Sequence, residues 1–336
     1  MRSKNVLLVG GAGYIGLNIA ILLYSKNYNL FIIDNLSNSK KKYIELLKSK
    51  LGIRFIFKKM DARNTTALHK LIKNQNINSI IHLAGYKNAE QSMLNPSFYY
   101  FNNVSSTVSI LRAIKNTKCH NVIFSSSACV YGNPNKNPIK ENAPLNFENI
   151  YGHTKLVSEE IIKFYASNQN KVKYAILRYF NPIGSDKSNL IGDSPKDASN
   201  NLMPNILTAY RKKNKKIKIY GKNYSTKDGT CVRDYIHIDD LSLGHSSALK
   251  KLEKTNKSFT VNLGTGKGHS VLEVINTFNN VNNVNIRYSF DKKRKGDVPA
   301  YYADSKKANK FLRWKAKKSL KDMCKSAFNF EEIKNY

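Results

Sequence analysis

Four cysteines in 336 residues, Cys119, Cys129, Cys231 and Cys324, show neither metal-ligand nor redox spacing. Cys119 and Cys129 flank one expected strand, too far apart along it to bridge, so free thiols in a reducing compartment are expected. None of the seven histidines sits at metal-ligand spacing, which leaves no metal to expect. Hydrophobic runs all fall far short of a membrane span, and internal repeats and coiled-coil heptads are absent from the sequence. Acidic residues are scarce, 23 against 56 lysines and arginines, giving a formal charge of +33. Such an excess can mark a nucleic-acid binder. Here the lysines are spread widely and accompany abundant asparagine and isoleucine, a pattern of general compositional drift. Nucleic acid is therefore not expected as a partner, although the field favours an anionic nucleotide ligand. The basic start Met1-Arg2-Ser3-Lys4 runs straight into the first strand, so no targeting segment is expected and the location reads as cytoplasmic.

What is present centres on Gly10-Gly11-Ala12-Gly13-Tyr14-Ile15-Gly16. A hydrophobic run, Val6 to Val9, precedes it and an apolar periodic segment follows, so it reads as strand, glycine turn and helix. Gly10 permits the turn, Gly13 lets backbone approach a pyrophosphate at a helix N-terminus, and Gly16 lets the helix lie close on the sheet. The next strand ends in Asp34, placed to take a ribose 2′-hydroxyl. Short apolar strands then alternate with helices: helix over 40–50, strand over 54–57, helix over 68–74, strand over 79–84, helix over 101–117 and strand over 121–124. A helix over 151–167 and a strand over 174–178 continue the pattern. The fold class is α/β, with a doubly wound, Rossmann-type parallel sheet covered on both sides. Residues 182–200 read as loop, and a second, smaller α/β domain is expected over 182–336. The 235–265 unit is expected to return to the sheet of residues 1–181.

Ligands of open parallel sheets lie beyond the carboxyl ends of the strands. Asp61-Ala62, Leu83-Ala84-Gly85, Ser125 to Ser127 and Tyr179-Phe180-Asn181 fall there. Asp61 reads as an adenine contact or a cap, and Lys87 as a phosphate ligand or a solvated lysine. Tyr151 and Lys155 share one helix face four residues apart. A phenol is a useful base only when its pKa is lowered, and a neighbouring ammonium is expected to do this. Ser127 is placed to donate to a reacting hydroxyl, or to cap a turn. Arg233 and Arg294 suit a diphosphate, or pair with nearby aspartates.

Together the glycine turn, Phe124 to Gly132, Tyr151-Gly152-His153-Thr154-Lys155, Arg178 to Pro182, Asn200 to Pro204, Gly229 to His237 and Gly296 to Ala300 carry a resemblance. The chain resembles the extended short-chain dehydrogenase/reductases over essentially its whole length, and within them the UDP-hexose 4-epimerases. The resemblance implies tightly held NAD, with UDP-glucose and UDP-galactose as substrates and a homodimer built through the 101–117 and 151–167 regions. It implies catalysis by Tyr151, Lys155 and Ser127. Gly10, Gly13, Tyr14, Ile15, Gly16, Asp34, Asn35, Asn38 and Ser39 would hold the cofactor. So would Asp61, Ala62, Leu83, Ala84, Gly85, Lys87, Asn102, Ser125 and Tyr179, together with Tyr151 and Lys155. On the substrate side it implies Ser127, Tyr151, Phe180, Asn181, Asn200, Asn201, Leu202, Arg233, Arg294, Asp297 and Tyr301. Related nucleotide-sugar dehydratases carry an acid just after the catalytic hydroxyl residue, where this chain has Ala128 and Cys129. Tyr301 falls where related epimerases use residue size to admit or exclude an N-acetyl group. The competing readings are a dehydratase or net dehydrogenase of the same group, and a non-catalytic binding protein that has kept the fold.

Overall fold

The computed structural model describes residues 4–169, 171–195, 201–212, 215–294 and 296–334. The chain opens with β1 (Asn5–Val9), α1 (Tyr14–Ser25), β2 (Asn29–Asp34), α2 (Lys41–Ser49), β3 (Phe55–Lys59), α3 (Thr65–Asn74) and β4 (Ser79–His82). Two short helices, α4 (Ala89–Leu94) and α5 (Pro96–Tyr99), lead through a π-helical turn at Tyr100–Val104 into α6 (Ser105–Ile114). β5 (Asn121–Ser127), α7 (Ile150–Asn168), β6 (Lys173–Tyr179) and β7 (Asn181–Ile183) follow. Next come α8 (Leu202–Arg211), β8 (Lys216–Tyr220), β9 (Val232–His237), α9 (Ile238–Thr255) and β10 (Phe259–Leu263). The C-terminal part adds β11 (Gly268–Ser270), α10 (Val271–Asn282), β12 (Arg287–Asp291), β13 (Ala300–Tyr301), α11 (Lys306–Leu312) and α12 (Leu320–Lys334).

Seven strands form one parallel sheet in the order β10-β6-β5-β4-β1-β2-β3. The chain winds outward from β1 through β2 to β3, then crosses back to β4 and winds the other way. The switch lies between β1 and β4, so a crevice opens there at the carboxyl edge. Alternation along β1 feeds two cores. Val6 and Leu8 pack with Leu17 and Leu23 of α1 and Leu241 and Leu249 of α9. Leu7 and Val9 pack with Leu68 of α3, Leu111 of α6 and Ile162 of α7. Each such buried aliphatic side chain is worth roughly 2 kcal/mol in transfer free energy. A further core joins Met203 and Ile206 of α8, Ile217 and Ile219 of β8, Phe278 of α10 and Met323 of α12. Beside it lie a small sheet, β11-β9-β13 with β7 on β9, and the parallel pair β12-β8.

Three differences from the expected elements matter. The helix expected over 101–117 is a π-helical turn followed by α6, which ends at Ile114. Residues expected as loop from 182 include β7, which pairs with β9. The strand expected over 79–84 ends at His82, which leaves Leu83 and Ala84 to the loop that follows. No helix among the described residues is long and apolar enough to cross a membrane.

Candidate active site

The glycine turn works by contact and by space. Gly10 has φ +75°, and its backbone N–H donates to the Ile33 carbonyl at the end of β2 (2.9 Å). A Cβ at Gly10 would lie 2.6 Å from the Ala84 backbone, and one at Gly16 2.6 Å from Gly11. Gly13 differs, since a Cβ there would meet nothing nearer than 3.8 Å. The turn is therefore open where a pyrophosphate would face the start of α1, which Gly13 caps without a side-chain hydrogen bond. Asp34 ends β2, buried, accepting from Ala12 N–H (3.1 Å), Leu36 N–H (2.8 Å) and the Ser39 hydroxyl (3.3 Å). Asn35 donates to Asp61 (3.3 Å), and Asn38 is exposed. Bidentate Arg63 holds the Asp61 carboxyl at about 2, so it is a structural pair as well as a strand-end acid.

Past β4, Leu83 and Ala84 pack on the two cores. Gly85 takes φ +153°. Lys87 faces Asp193 at 3.9 Å. Asn102 donates to Asn103 (3.1 Å), whose own amide clamps both backbone groups of Tyr86 (2.8 and 3.0 Å). Asn103 carries the loop after β4, and only its place beside Asn102 in the sequence hinted at that. Ile15 lies in the first turn of α1 beside Tyr14, whose phenol donates to the Gly184 carbonyl (2.7 Å) and so ties α1 to the segment after β7. Ala62 packs against the α3–α6 core. The cradle of open Gly13, buried Asp34 and strand-end small residues fits a dinucleotide.

The reactive groups meet at the end of β5. Asn149 caps α7, accepting from Gly152 N–H (2.9 Å), which starts the helix so that Tyr151 lies in its first turn. Ser127 accepts from Cys129 N–H (3.2 Å), and its hydroxyl lies near the Tyr151 phenol. Lys155, buried, donates to the Ser125 carbonyl (2.9 Å) and lies 4.8 Å over the Phe124 ring. The Ser125 hydroxyl pairs with His245 (3.0 Å), against whose ring Tyr179 stacks (5.8 Å).

The phenol does not behave as the helix spacing alone predicts. Burial pushes the Tyr151 pKa well above 10, with Cys129 and Tyr179 adding and the Ser127 hydroxyl opposing. The ammonium expected to lower it is turned to a backbone carbonyl instead. Burial also brings Lys155 down to about 8, against the upward pull of Glu159 and Cys129. A phenolate here thus needs charge brought in by the ligand.

Opposite, Phe180 stacks on Tyr301 (5.8 Å), and Arg233 lies 4.5 Å over the same Tyr301 ring. Arg233 does not pair with its neighbour Asp234. It donates to the Val232 and Val298 carbonyls (2.9 and 2.8 Å) and faces Asp297 at 3.6 Å. Asp234 instead holds the backbone of Thr265, Gly266 and Ala303. Arg294 stacks on Tyr220 at 3.8 Å. Among the described residues the buried Asn181 Oδ1 has no hydrogen-bond partner, an acceptor left for a ligand. Asn201 and Leu202 start α8, while Asn200 lies outside the described residues. An open cleft of about 620 Å³ between the 185–189 segment and α12 contains none of these residues.

Known proteins share this geometry. The family model described as GDP-mannose 4,6 dehydratase matches residues 7–327. UDP-glucose 4-epimerase of Dictyostelium discoideum is 41% identical over 329 residues, covering 98% of this chain and 96% of the relative. The chain belongs to the UDP-glucose 4-epimerase family. Among solved structures, the epimerase of Stenotrophomonas maltophila with NAD and formylated UDP-arabinopyranose superposes with a TM-score of 0.95 at 36% identity, covering 98% of both chains. The Bifidobacterium longum epimerase with NAD+ and UDP gives 0.94 at 37% identity, covering 98% of this chain and 99% of that one. The dehydratase description names a broader grouping. The two positions after Ser127 that would hold a dehydratase's acid are Ala128 and Cys129, as in the sequence.

Proposed function

We propose that this chain interconverts UDP-glucose and UDP-galactose, inverting C4 of the hexose with NAD held on the glycine turn. The carrying observation is the meeting of Ser127, Tyr151 and Lys155 at the end of β5, in a chain matched along its length by epimerases. NAD held there would supply hydride-transfer chemistry at C4 and, through its positive nicotinamide ring, charge that favours the phenolate. Tyr151 takes the proton of the 4-hydroxyl and gives it back after the sugar has turned. Ser127, beside that phenol, would bridge it to the sugar oxygen. Lys155, which donates to the Ser125 carbonyl, would bind the nicotinamide ribose. Asp34 selects NAD over its 2′-phosphorylated form, because a phosphate there would meet a carboxylate. Arg233 and Arg294 offer cationic anchors to the diphosphate, and Asn181 a buried acceptor to a ligand N–H or O–H. Firm anchoring of the nucleotide, with loose contact to the hexose, lets the 4-keto sugar turn without leaving.

The test is direct. Purified protein given UDP-galactose and no added cofactor should form UDP-glucose without net change in NAD, followed by NMR. A sugar left unchanged even with NAD supplied sinks this reading and leaves a silent binding protein; net NAD reduction favours a dehydrogenase. Tyr301, half-buried against Phe180 and Arg233, would narrow the sugar pocket. We expect kcat/KM for UDP-glucose to exceed that for UDP-N-acetylglucosamine by roughly tenfold or more. Equal values would remove Tyr301 as a size filter.

The same proposal includes a cytoplasmic homodimer. Leu94, Phe98, Phe101 and Phe164 are 74, 48, 62 and 71% exposed on α4, α5, the π-helical turn and α7. Phe101 and Phe164 lie on the two segments expected to form the bundle, and Leu94 and Phe98 on the short helices that pack against α7. Light scattering should give twice the chain mass, and Phe164→Glu should shift it toward the single chain. A wild-type protein that scatters as a monomer at micromolar concentration excludes the dimer.

A further inference from the structure

Three consecutive serines at the end of β5 each engage one face of α7. Ser127 lies beside Tyr151, the Ser125 carbonyl receives Lys155, and the Ser126 hydroxyl donates to Glu159 (2.6 Å). Residues 151, 155 and 159 are successive turns of one helix. Glu159 is fully buried and also receives a bidentate Arg178 from β6 (2.9 and 2.6 Å) and, at 3.4 Å, Lys163. Arg178 is itself fixed by Tyr131 (3.0 Å) and the Glu141 carbonyl (3.1 Å). We infer that Glu159 is a positioning residue for the reaction, whose carboxylate keeps the buried Lys155 ammonium charged on its Ser125 seat. This rests on Tyr151 and Lys155 being the reactive pair.

The groups around Lys155 leave Glu159 in that role. Burial lowers His82 of β4 to about 3, so it is neutral. Burial raises the Cys129 thiol and Tyr151, and carries Tyr179 up to about 12; of these only Cys129 also pulls Lys155 upward, and less than Glu159 does. Burial also works to raise Glu159, but Arg178, Ser126 and Lys163 overcome it and hold the carboxyl below its ordinary value. Without that anion, the main charge that offsets burial of the Lys155 ammonium is lost.

The experiment follows the titration of Lys155 by NMR in holoenzyme labelled at lysine Cε, with the resonance assigned by Lys155→Met, beside the alkaline limb of kcat/KM. In Glu159→Gln both midpoints should fall by about one pH unit or more, since burial then acts with its main opposing charge removed. Glu159→Asp disturbs packing in a similar way but keeps the charge, so its midpoint should stay near wild type. If Glu159→Gln does not fold, Arg178→Met carries the test, because burial then draws Glu159 toward its neutral form and the Lys155 midpoint should again fall. A Lys155 midpoint unmoved in Glu159→Gln, or one that fails to fall in Arg178→Met, overturns the proposal. The NMR titration does not depend on turnover, so its failure is distinct from failure of the epimerase reading.

Discussion

Tyr151→Phe should lower kcat by about 10³-fold while leaving the fold and the bound NAD in place. The change removes one oxygen and no packing. The backbone N–H of Tyr151 still donates to Ser92 (3.0 Å), and its carbonyl still accepts from Thr154 (2.8 Å), so the first turn of α7 keeps its anchors. Removing the hydroxyl should change stability by roughly 1 kcal/mol or less, a small part of the total. What disappears is the acceptor for the 4-hydroxyl proton, which no nearby group can replace. Lys155 is turned to the Ser125 carbonyl, and the half-buried Cys129 thiol has its pKa raised by burial. The wild-type rate should rise with pH on the acid side, because burial keeps the phenol protonated and only its ionised form accepts the proton. In Tyr151→Phe that acid limb should vanish along with the rate. A variant retaining more than a tenth of wild-type kcat would remove Tyr151 as the base.

Much of this site is legible before any coordinates, because its signals are local. The glycine turn follows a strand and opens a helix, and Tyr151 and Lys155 are one helical turn apart. What the chain order hides is long range or backbone-made. Lys155 binds the carbonyl of Ser125, which has no side-chain signature, so the expectation that its ammonium lowers the Tyr151 pKa had to give way to burial. Arg233 lies beside Asp234 in sequence, yet faces Asp297, 64 residues on, because β9 turns successive side chains to opposite sides. The π-helical turn at Tyr100–Val104 carries the same apolar period as the helix it interrupts, so periodicity could not expose it. β7 and β13 are three and two residues long and exist through their pairing with β9, below what strand patterning detects.

Gly10→Ala should cost the protein both stability and cofactor, and Gly13→Ala only cofactor. At Gly10 the left-handed φ of +75° is strained for alanine by about 1 kcal/mol. Steric overlap costs more. The new methyl would sit 2.6 Å from both Cα and N of Ala84, backbone atoms that cannot rotate away. Those atoms are held by the Leu83 N–H on the Val9 carbonyl (2.8 Å), while Gly10 itself is held to Ile33. Strands β1, β2 and β4 therefore converge on the one position, and relief must spread into the sheet edge at a total of roughly 2–4 kcal/mol. The same shift would pull the turn off the pyrophosphate position and move Ala84 and Gly85. At Gly13 the methyl meets nothing within 3.8 Å, and φ there is −81°, an ordinary value for alanine. Its thermal midpoint should match wild type, while the methyl fills the space the pyrophosphate would use. NAD released on denaturation, measured per chain beside the melting temperature, separates the two effects. Gly13→Ala that keeps a full complement of NAD would show that the cofactor does not approach this turn, and the placement of the cradle would fall with it.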